Sequence, residues 1–323
     1  MIGKLNAVVM RGIVVGLLLL LSLSTVSAKE LFDQNEVMLW PNGAPGSEGL
    51  MITETVIERS KDPAIKNRAL VKITDPSFIP LLADKDKATG VAVLIFPGGG
   101  YDHLTFDKEG YDIANWLNSI GVSAFIVKSR LPVDGHKNSY LVPLQDAQRA
   151  MRIIRKNAAD WGVDPNKIGL MGFSAGGHLA AVLGTTYSKK VYEAVDDADN
   201  VSCKPNFMVL LYPAISTQRQ VGLRTNLLGK NPSQELINEF SAELHVDSNT
   251  PTTLIIQADD DPQVTTLNST DFYNALKNAK VSAELHIFKK GGHGFGIIDA
   301  KGPIASWTKI CEEWLIGSAI ISK

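Results

Sequence analysis

The sequence predicts an α/β fold in which a mostly parallel central sheet carries helices on both faces. Three observations support this prediction. Short runs of apolar residues, such as 91–96 and 122–127, indicate strands buried on both faces. Segments with apolar residues three or four positions apart lie between these runs and indicate helices. Glycine-rich turns follow several runs, and the alternation of strand and helix requires the right-handed crossovers of a parallel sheet.

The predicted strands share one pattern, a short and mostly apolar run bounded by polar or glycine-containing segments. They are residues 91–96, 122–127, 167–171, 207–211, 254–257 and 283–288.

The predicted helices are defined by apolar residues at helical spacing. They are residues 111–117, 144–158, 174–184, 267–277 and 305–315. Leu144, Ala147, Met151 and Ile154 define the second of these helices, which stops before Gly162. The third consists largely of small residues.

Two regions lack this regular alternation. In residues 29–90, strand-like stretches alternate with polar ones, which favours antiparallel edge strands. Residues 216–249 show no clean period, so we expect an insertion over the sheet, where substrate pockets are often built. Because no repeat, low-complexity stretch or linker divides residues 29–323, the sequence predicts a single domain there.

The charge balance argues against two kinds of partner. The chain of 323 residues has 32 Lys and Arg against 34 Asp and Glu, a net charge of −2. Binding to nucleic acid or to an anionic membrane surface requires clustered basic residues. We therefore expect neither as a partner.

The N-terminus has the features of a secretory signal. Lys4 and Arg11 precede an apolar run at residues 13–21, and the small residues Ser27 and Ala28 suit a cleavage site. We interpret residues 1–28 as a signal peptide, with an uncleaved anchor helix as the alternative. Cleavage predicts a periplasmic or secreted protein with no remaining membrane segment.

Cys203 and Cys311 are the two cysteines. An oxidising compartment would permit a disulfide between them. Cys311, however, lies in the apolar register of the last predicted helix, which favours a buried free thiol. Neither this pair nor the acidic residues have the spacing of a metal site, so no metal or cofactor is expected.

The strongest chemical motif is Gly-Phe-Ser-Ala-Gly at residues 172–176. It directly follows a predicted strand and opens a predicted helix, which is the setting of a nucleophile elbow. Side chains at residues 172 and 176 would collide with the neighbouring strand and helix, which explains the glycines. Ser174 is the candidate nucleophile, and a serine that merely caps the helix is the alternative.

A glycine loop follows the first strand of the predicted sheet, at residues 97–101. Consecutive glycines let backbone N–H groups approach a substrate oxygen, so we assign Gly99 and Gly100, with Ala175 after the nucleophile, as oxyanion donors. We expect Tyr101 and His103 to line the rim. The loop lacks the spacing and the lysine of a phosphate-binding motif, which argues against a nucleotide site.

The candidate base and acid follow the last two predicted strands. His293 lies in a glycine-flanked loop after the last predicted strand, where the base of a hydrolase must lie above the nucleophile. The helix that follows Ser174 would carry His178 away from it. Asp259, Asp260 and Asp261 follow the preceding strand, and we assign Asp261 as the acid. The chain order Ser174, Asp261, His293 is the order that accompanies a nucleophile elbow of this kind, and it is distinct from other serine-hydrolase orders.

From about residue 90 to residue 315, the chain resembles the acetylxylan-esterase-like carboxylesterases of the α/β-hydrolase fold, the bacterial feruloyl/acetyl xylan esterase group. The matching strings lie at residues 96–101, 144–150, 172–180, 260–264 and 291–295. In the D-x-x-V pattern of that group, the acid aligns with Asp261. Two departures are Pro97, where related esterases have histidine, and Ser129, where tyrosine is usual and which affects the pocket wall.

The resemblance implies a cofactor-independent serine carboxylesterase, and we assign its catalytic domain to the predicted single domain, residues 29–323. The implied substrates carry short acyl groups, chiefly acetyl, on xylan or its oligosaccharides. A feruloyl esterase and an exopeptidase are alternatives within the same fold. A catalytically silent binding module is an alternative from a different class.

Overall fold

The computed structural model describes residues 35–321. The predicted signal peptide, residues 1–28, lies outside the described residues. Among residues 35–321, no helix is long and apolar enough to cross a membrane.

Eleven strands and seven α-helices are found in this part of the chain. The strands are β1 (Val37–Met38), β2 (Thr55–Glu58), β3 (Arg68–Val71), β4 (Ser77–Leu81), β5 (Ala92–Phe96), β6 (Leu104–Thr105), β7 (Ser123–Lys128), β8 (Ile168–Phe173), β9 (Phe207–Leu211), β10 (Thr252–Ala258) and β11 (Ala283–Phe288). The helices are α1 (Asp112–Ser119), α2 (Val142–Lys156), α3 (Ala175–Thr186), α4 (Val221–Leu228), α5 (Gln234–Glu239), α6 (Leu267–Asn278) and α7 (Trp307–Gly317). A π-helical turn, Asp107–Tyr111, precedes α1.

The central sheet has eight strands in the order β1-β4-β7-β5-β8-β9-β10-β11. The six strands from β7 to β11 in this order are parallel, and β1 and β4 join one side antiparallel. A separate antiparallel sheet has the order β2-β3-β6. The predicted α/β fold with a mostly parallel sheet is confirmed.

The two faces of the central sheet bury separate apolar clusters. Strand β5 shows how: Leu94 packs into the cluster that includes α2 and α3, whereas Val93 and Ile95 pack into the cluster that includes α1 and α7. Successive side chains of a strand point to opposite faces. Because both faces are covered by helices, the strand is apolar throughout, which is the pattern in the sequence.

The interpretation of the cysteines as buried free thiols is confirmed: Cys203 and Cys311 are both buried and unpaired. Cys203 and Cys311 belong to different apolar clusters, one on each face of the sheet. Burial raises the pKa of both thiols, so they remain protonated near neutral pH.

Residues 216–249 form α4, α5 and a short 3₁₀ turn, Ala242–His245. This segment contacts the glycine loop, since the Asn226 Nδ2 group donates to the carbonyl oxygen of Gly100 at 2.8 Å. The segment also supplies the carbonyl of Phe240 as acceptor to the buried ring of His178 at 2.7 Å. It therefore packs beside the loop predicted to supply the oxyanion donors.

Candidate active site

Ser174 occupies the sharp turn between β8 and α3. Its backbone has φ +50° and ψ −117°, a conformation rarely adopted by non-glycine residues. A Cβ at Gly172 would lie 2.4 Å from the carbonyl oxygen of Gly176, and one at Gly176 would lie 2.0 Å from that of Phe96. The expected steric reason for both glycines is present. The Ser174 side chain makes no capping bond to the helix, so the alternative of a capping serine is wrong.

The structure brings Ser174, His293 and Asp261 into one hydrogen-bonded line. The Nε2 atom of His293 lies 2.8 Å from Ser174 Oγ, and its Nδ1 atom lies 2.7 Å from Asp261 Oδ2. A carboxylate only accepts hydrogen bonds, so Nδ1 carries the proton and Nε2 accepts the serine hydroxyl. The arrangement can take a proton from Ser174 during nucleophilic attack.

The Asp261 side chain is completely buried, and its carboxylate has further donors on its own loop. Oδ1 accepts the N–H groups of Gln263 and Val264 at 2.8 and 2.9 Å, and Oδ2 also accepts from Gln257 Nε2 at 3.2 Å. Hydrogen bonds to the charged form compensate for its loss of water. They also aim one oxygen at the imidazole.

Asp260 performs a different task from its neighbour. Its Oδ1 atom accepts the N–H groups of Gly291 and Gly292 at 2.8 and 2.9 Å, in the loop that carries His293. These backbone bonds, with the nearby Lys290, hold the pKa of Asp260 below its ordinary value. The sequence does not indicate the role of this second carboxylate, and the structure shows that it anchors the histidine loop (residues 289–296).

The glycine loop lies directly against the nucleophile. A Cβ at Gly98 would lie 3.0 Å from the Cβ of Ser174, and one at Gly99 would lie 2.1 Å from the carbonyl oxygen of His103. Gly99 and Gly100 have φ values of +130° and +62°. Within residues 35–321, the N–H groups of Gly99, Gly100 and Ala175 donate no hydrogen bond, so all three remain available to an oxyanion.

Tyr101 lies below the rim expected for it, in the wall of the pocket beside Ala175. Its side chain is buried, and its hydroxyl lies 2.8 Å from His178 Nδ1. His178 is also fully buried, and its Nε2 atom donates to the carbonyl oxygen of Phe240. The helix carries His178 away from Ser174, as expected. A buried tyrosine hydroxyl needs a hydrogen-bond partner, and His178 provides it here.

His103 lies at the surface of the loop, as expected for a rim residue. Its Nε2 atom lies 3.2 Å from Nη1 of Arg59, and its side chain is 30% exposed. His103 and Tyr101 also contribute to a narrow pocket beside Ala175. The other walls of this pocket are Phe96, Pro97, Gly98, Leu104, Ser129, Gly176 and Leu179. Ser129 therefore stands in the pocket wall, where the sequence departs from the family pattern.

Three residues near the site were missed by the sequence analysis. Asn226 holds the glycine loop from the insertion, Glu109 accepts the N–H group of Gly98 at 2.7 Å, and Tyr212 donates to Glu109 at 2.8 Å. Asn226 and Tyr212 lie 126 and 103 positions from Gly100 and Glu109, their respective partners. Glu109 is 11 positions from Gly98 and lies in the π-helical turn that follows the glycine loop. The one signal was the position of Tyr212, which directly follows β9 at the carboxyl edge of the sheet.

The nucleophile elbow, the glycine loop and the hydrogen-bonded triad on a mostly parallel sheet define an α/β-hydrolase with the geometry of a serine hydrolase. Residues 81–276 match the family model described as BD-FAE. The chain belongs to this family.

Relatives and solved structures agree with this assignment. The chain is 37% identical over 220 residues to an acetylxylan esterase of Xylanibacter ruminicola, covering 65% of this chain and 42% of that protein. It is 34% identical over 226 residues to endo-1,4-beta-xylanase B of Butyrivibrio fibrisolvens, covering 68% of this chain and 35% of that protein. The chain thus spans about two fifths of the length of these curated relatives or less.

A solved structure matches nearly the whole domain. An acetyl ester-xyloside bifunctional hydrolase from Caldicellulosiruptor lactoaceticus aligns with a TM-score of 0.74 and 36% identity. The alignment covers 89% of this chain and 97% of that one. The α/β-hydrolase fold is therefore shared across almost the full length of that enzyme.

Proposed function

We propose that this protein is a serine carboxylesterase that removes acetyl groups from xylan or xylo-oligosaccharides. The observation that carries the proposal is the line from Ser174 Oγ through the His293 imidazole to the Asp261 carboxylate, with 2.8 and 2.7 Å contacts. The acetyl and xylan chemistry is supported by the names of the relatives in Xylanibacter and Caldicellulosiruptor.

The first half-reaction forms an acyl-enzyme. His293 Nε2 takes the Ser174 proton while Oγ attacks the ester carbonyl carbon, and the N–H groups of Gly99, Gly100 and Ala175 stabilise the oxyanion. Asp261 remains ionised and stabilises the imidazolium. The tetrahedral intermediate then breaks its bond to the sugar oxygen, which receives the proton held by His293 and leaves as the alcohol.

The second half-reaction releases acetate. Water attacks the acyl carbon as its proton passes to His293, and the same N–H groups hold the second oxyanion. Collapse breaks the bond to Ser174 Oγ, which recovers its proton from His293. No metal or redox group takes part in this sequence.

The narrow pocket beside Ala175 supports a short acyl group. Its walls are largely apolar, with the buried ring of Tyr101 and the side chain of Leu179 among them. A methyl group is favoured in such an environment, whereas the aromatic ring of a feruloyl group would need a longer pocket. We therefore place acetyl above feruloyl esters.

The experiment uses the purified protein on p-nitrophenyl acetate, butyrate and octanoate, on methyl ferulate, and on acetylated xylo-oligosaccharides. We expect hydrolysis of the acetate ester and release of acetate from the oligosaccharides. Preference for methyl ferulate would replace the acetyl assignment with a feruloyl one. A protein that hydrolyses none of these esters and stays unlabelled by a fluorophosphonate probe would be a binding module.

We also propose that the protein is exported, because a polymeric substrate lies outside the cell and residues 1–28 have the pattern of a signal peptide. Cell fractionation and N-terminal sequencing test this proposal. We expect an exported form that begins at Lys29. Retention in the cytoplasm with an intact Met1 would contradict it.

A further inference from the structure

Glu109 is a buried carboxylate between the glycine loop and the histidine loop. It lies in the π-helical turn before α1 and is 4% exposed. Its Oε2 atom accepts the N–H group of Gly98 at 2.7 Å, and its Oε1 atom accepts the Tyr212 hydroxyl at 2.8 Å. No ion pair to Glu109 is found among residues 35–321. Burying a carboxylate without a cation is costly, so these two hydrogen bonds are needed to keep it there.

Tyr212 continues the connection to the histidine loop. Its hydroxyl accepts the N–H group of Gly296 at 3.3 Å, and its ring lies edge-on to the imidazole of His293 with 5.0 Å between centroids. Its ring also packs on Phe295 at 4.5 Å. Burial, reinforced by the Glu109 charge, raises the pKa of Tyr212 well above its ordinary value. The hydroxyl thus stays protonated and donates a hydrogen bond to Glu109.

The backbone of Tyr212 is strained, with φ +38° in a region that favours glycine. Such strain persists only where surrounding contacts hold the residue in place, and it concentrates at functional sites. The Tyr212 N–H group is held by the carbonyl oxygen of Ile256 at 2.7 Å. The side chain is held by Glu109 and Gly296, so both ends of the residue are fixed.

We propose that Glu109 and Tyr212 are positioning residues that hold the oxyanion donors and the His293 imidazole in mutual register, with the Glu109 charge stabilising the imidazolium. The proposal rests on the serine-esterase mechanism above. It follows from one continuous path of hydrogen bonds, which runs from Gly98 through Glu109 and Tyr212 to Gly296 and joins the glycine loop to the histidine loop. The spacing of these two loops determines whether nucleophilic attack and oxyanion binding occur together. Glu109 thereby acts as a second buried carboxylate beside the site, in addition to Asp261, and Tyr212 connects it to the histidine loop.

The other charged and titratable groups around His293 are few. Asp261 and Ser174 touch the imidazole directly. Asp260 and Lys290 form an exposed pair at the start of the histidine loop, and Lys108 and Asp299 form another beyond its end. Both of these pairs are charge-compensated and partly exposed to solvent. Glu109 and Asp261 are the buried carboxylates in this surrounding, and Glu109 has no ion pair within residues 35–321.

The test compares Glu109→Gln and Tyr212→Phe with Asp112→Asn as the matched control. Asp112 begins α1 three residues after Glu109, and within residues 35–321 its carboxylate forms no hydrogen bond or ion pair with either loop. The readouts are kcat and KM for p-nitrophenyl acetate across pH 5 to 9, and the rate at which diethyl p-nitrophenyl phosphate modifies Ser174. The second readout measures nucleophile reactivity without depending on the natural substrate.

We expect Glu109→Gln to lower kcat by about 10- to 100-fold with KM changed by about threefold or less. His293 must be neutral to act as base, and loss of the nearby anion destabilises its protonated form. The acid limb of the pH profile of kcat/KM should therefore move to lower pH by about 0.5 unit. Tyr212→Phe keeps the charge, so it should lower kcat similarly while the limb stays within about 0.2 unit. The control should match the wild type.

The proposal would be overturned if Glu109→Gln changed neither kcat nor the acid limb of the pH profile of kcat/KM. It would also be overturned if kcat fell while that limb stayed in place, because a merely structural role gives that result. If Glu109→Gln does not fold, Tyr212→Phe with unaltered kcat and phosphylation rate overturns it. A wild type that neither hydrolyses esters nor reacts with the phosphate triester refutes the proposed function instead. A reactive wild type with an equally reactive Glu109→Gln refutes this inference alone.

Discussion

Asp260 and Asp261 are adjacent in the chain, yet their carboxylates hold two different parts of the histidine loop. Asp261 contacts the imidazole nitrogen of His293 at 2.7 Å, whereas Asp260 contacts the backbone N–H groups of Gly291 and Gly292. One carboxylate thus orients the ring and stabilises its charge, and the other positions the backbone that carries the ring. The two roles predict two distinct mutant phenotypes.

Asp261→Asn should reduce kcat by roughly two to four orders of magnitude, because it removes the charge that stabilises the imidazolium and fixes its tautomer. Asp260→Asn should cost about tenfold or less, because only the loop backbone loses an anchor. Asp259→Asn is the matched control, since its side chain is exposed. Steady-state kinetics on p-nitrophenyl acetate measure all three. If Asp260→Asn is crippling and Asp261→Asn is mild, the acid is misassigned.

Ser174→Ala should fold normally and lose about four or more orders of magnitude in kcat. The substitution removes a hydroxyl at a half-exposed turn and disturbs no hydrogen bond of the fold other than that to His293. Thermal unfolding measured beside the kinetics separates loss of chemistry from loss of structure. Activity within about tenfold of the wild type would refute the serine mechanism.

Gly99 and Gly100 should respond differently to alanine. A Cβ at Gly99 would meet the His103 carbonyl oxygen at 2.1 Å, whereas one at Gly100 has its nearest neighbour at 3.8 Å, on Asn226. Gly99→Ala must therefore displace the loop and its donors, lowering kcat by about 10²- to 10³-fold. Gly100→Ala meets no clash and carries only the strain of an alanine at φ +62°, so it should lower kcat by about tenfold or less. A Gly99→Ala variant with the kcat of the wild type would contradict the proposed role of this loop.

The sequence was sufficient to predict the central sheet and the triad positions because their signals are local. Continuous apolar runs mark strands covered on both faces, and Ser174 is marked by a motif placed between a strand and a helix. The convergence of strand ends at one sheet edge brings His293 and the three aspartates at 259–261 together, and the choice of Asp261 among them rests on the D-x-x-V pattern of the family that the sequence resembles. The link between Glu109 and Tyr212, 103 positions apart, has no such signal, since it depends on how two loops pack in space. The burial of Tyr101 likewise depends on His178, 77 positions away.

Chelation should leave the activity unchanged. Residues 35–321 contain no group of three or more His, Cys, Asp or Glu side chains arranged to hold a metal ion. The proposed mechanism draws its electrophile from backbone N–H groups and its base from His293, so it requires no Lewis acid. Dialysis against EDTA followed by a p-nitrophenyl acetate assay tests this. Lost activity that zinc or calcium restores would contradict the metal-free mechanism.

The stability of the protein should decline with acid partly through His178. Burial lowers the pKa of its imidazole to about 4, below the ordinary value of 6.5. Between these two values the unfolded chain binds a proton at this residue that the folded chain does not. The contribution that neutral His178 makes to the free energy of unfolding is therefore fully present above about pH 6.5. It is lost as the pH falls toward about 4.

His178→Gln should be less stable than the wild type at pH 7, because the Tyr101 hydroxyl loses its partner at 2.8 Å. Its free energy of unfolding should nevertheless depend less steeply on pH between 4 and 6.5, by about one proton or about 1.4 kcal/mol per pH unit. Urea unfolding at several pH values measures this difference. Burial also lowers the pKa of His136 to about 4 and raises that of Asp134 to about 6, but both residues remain in the variant. Comparing the two proteins therefore isolates His178, and parallel pH profiles would show that folding does not lower the pKa of its imidazole.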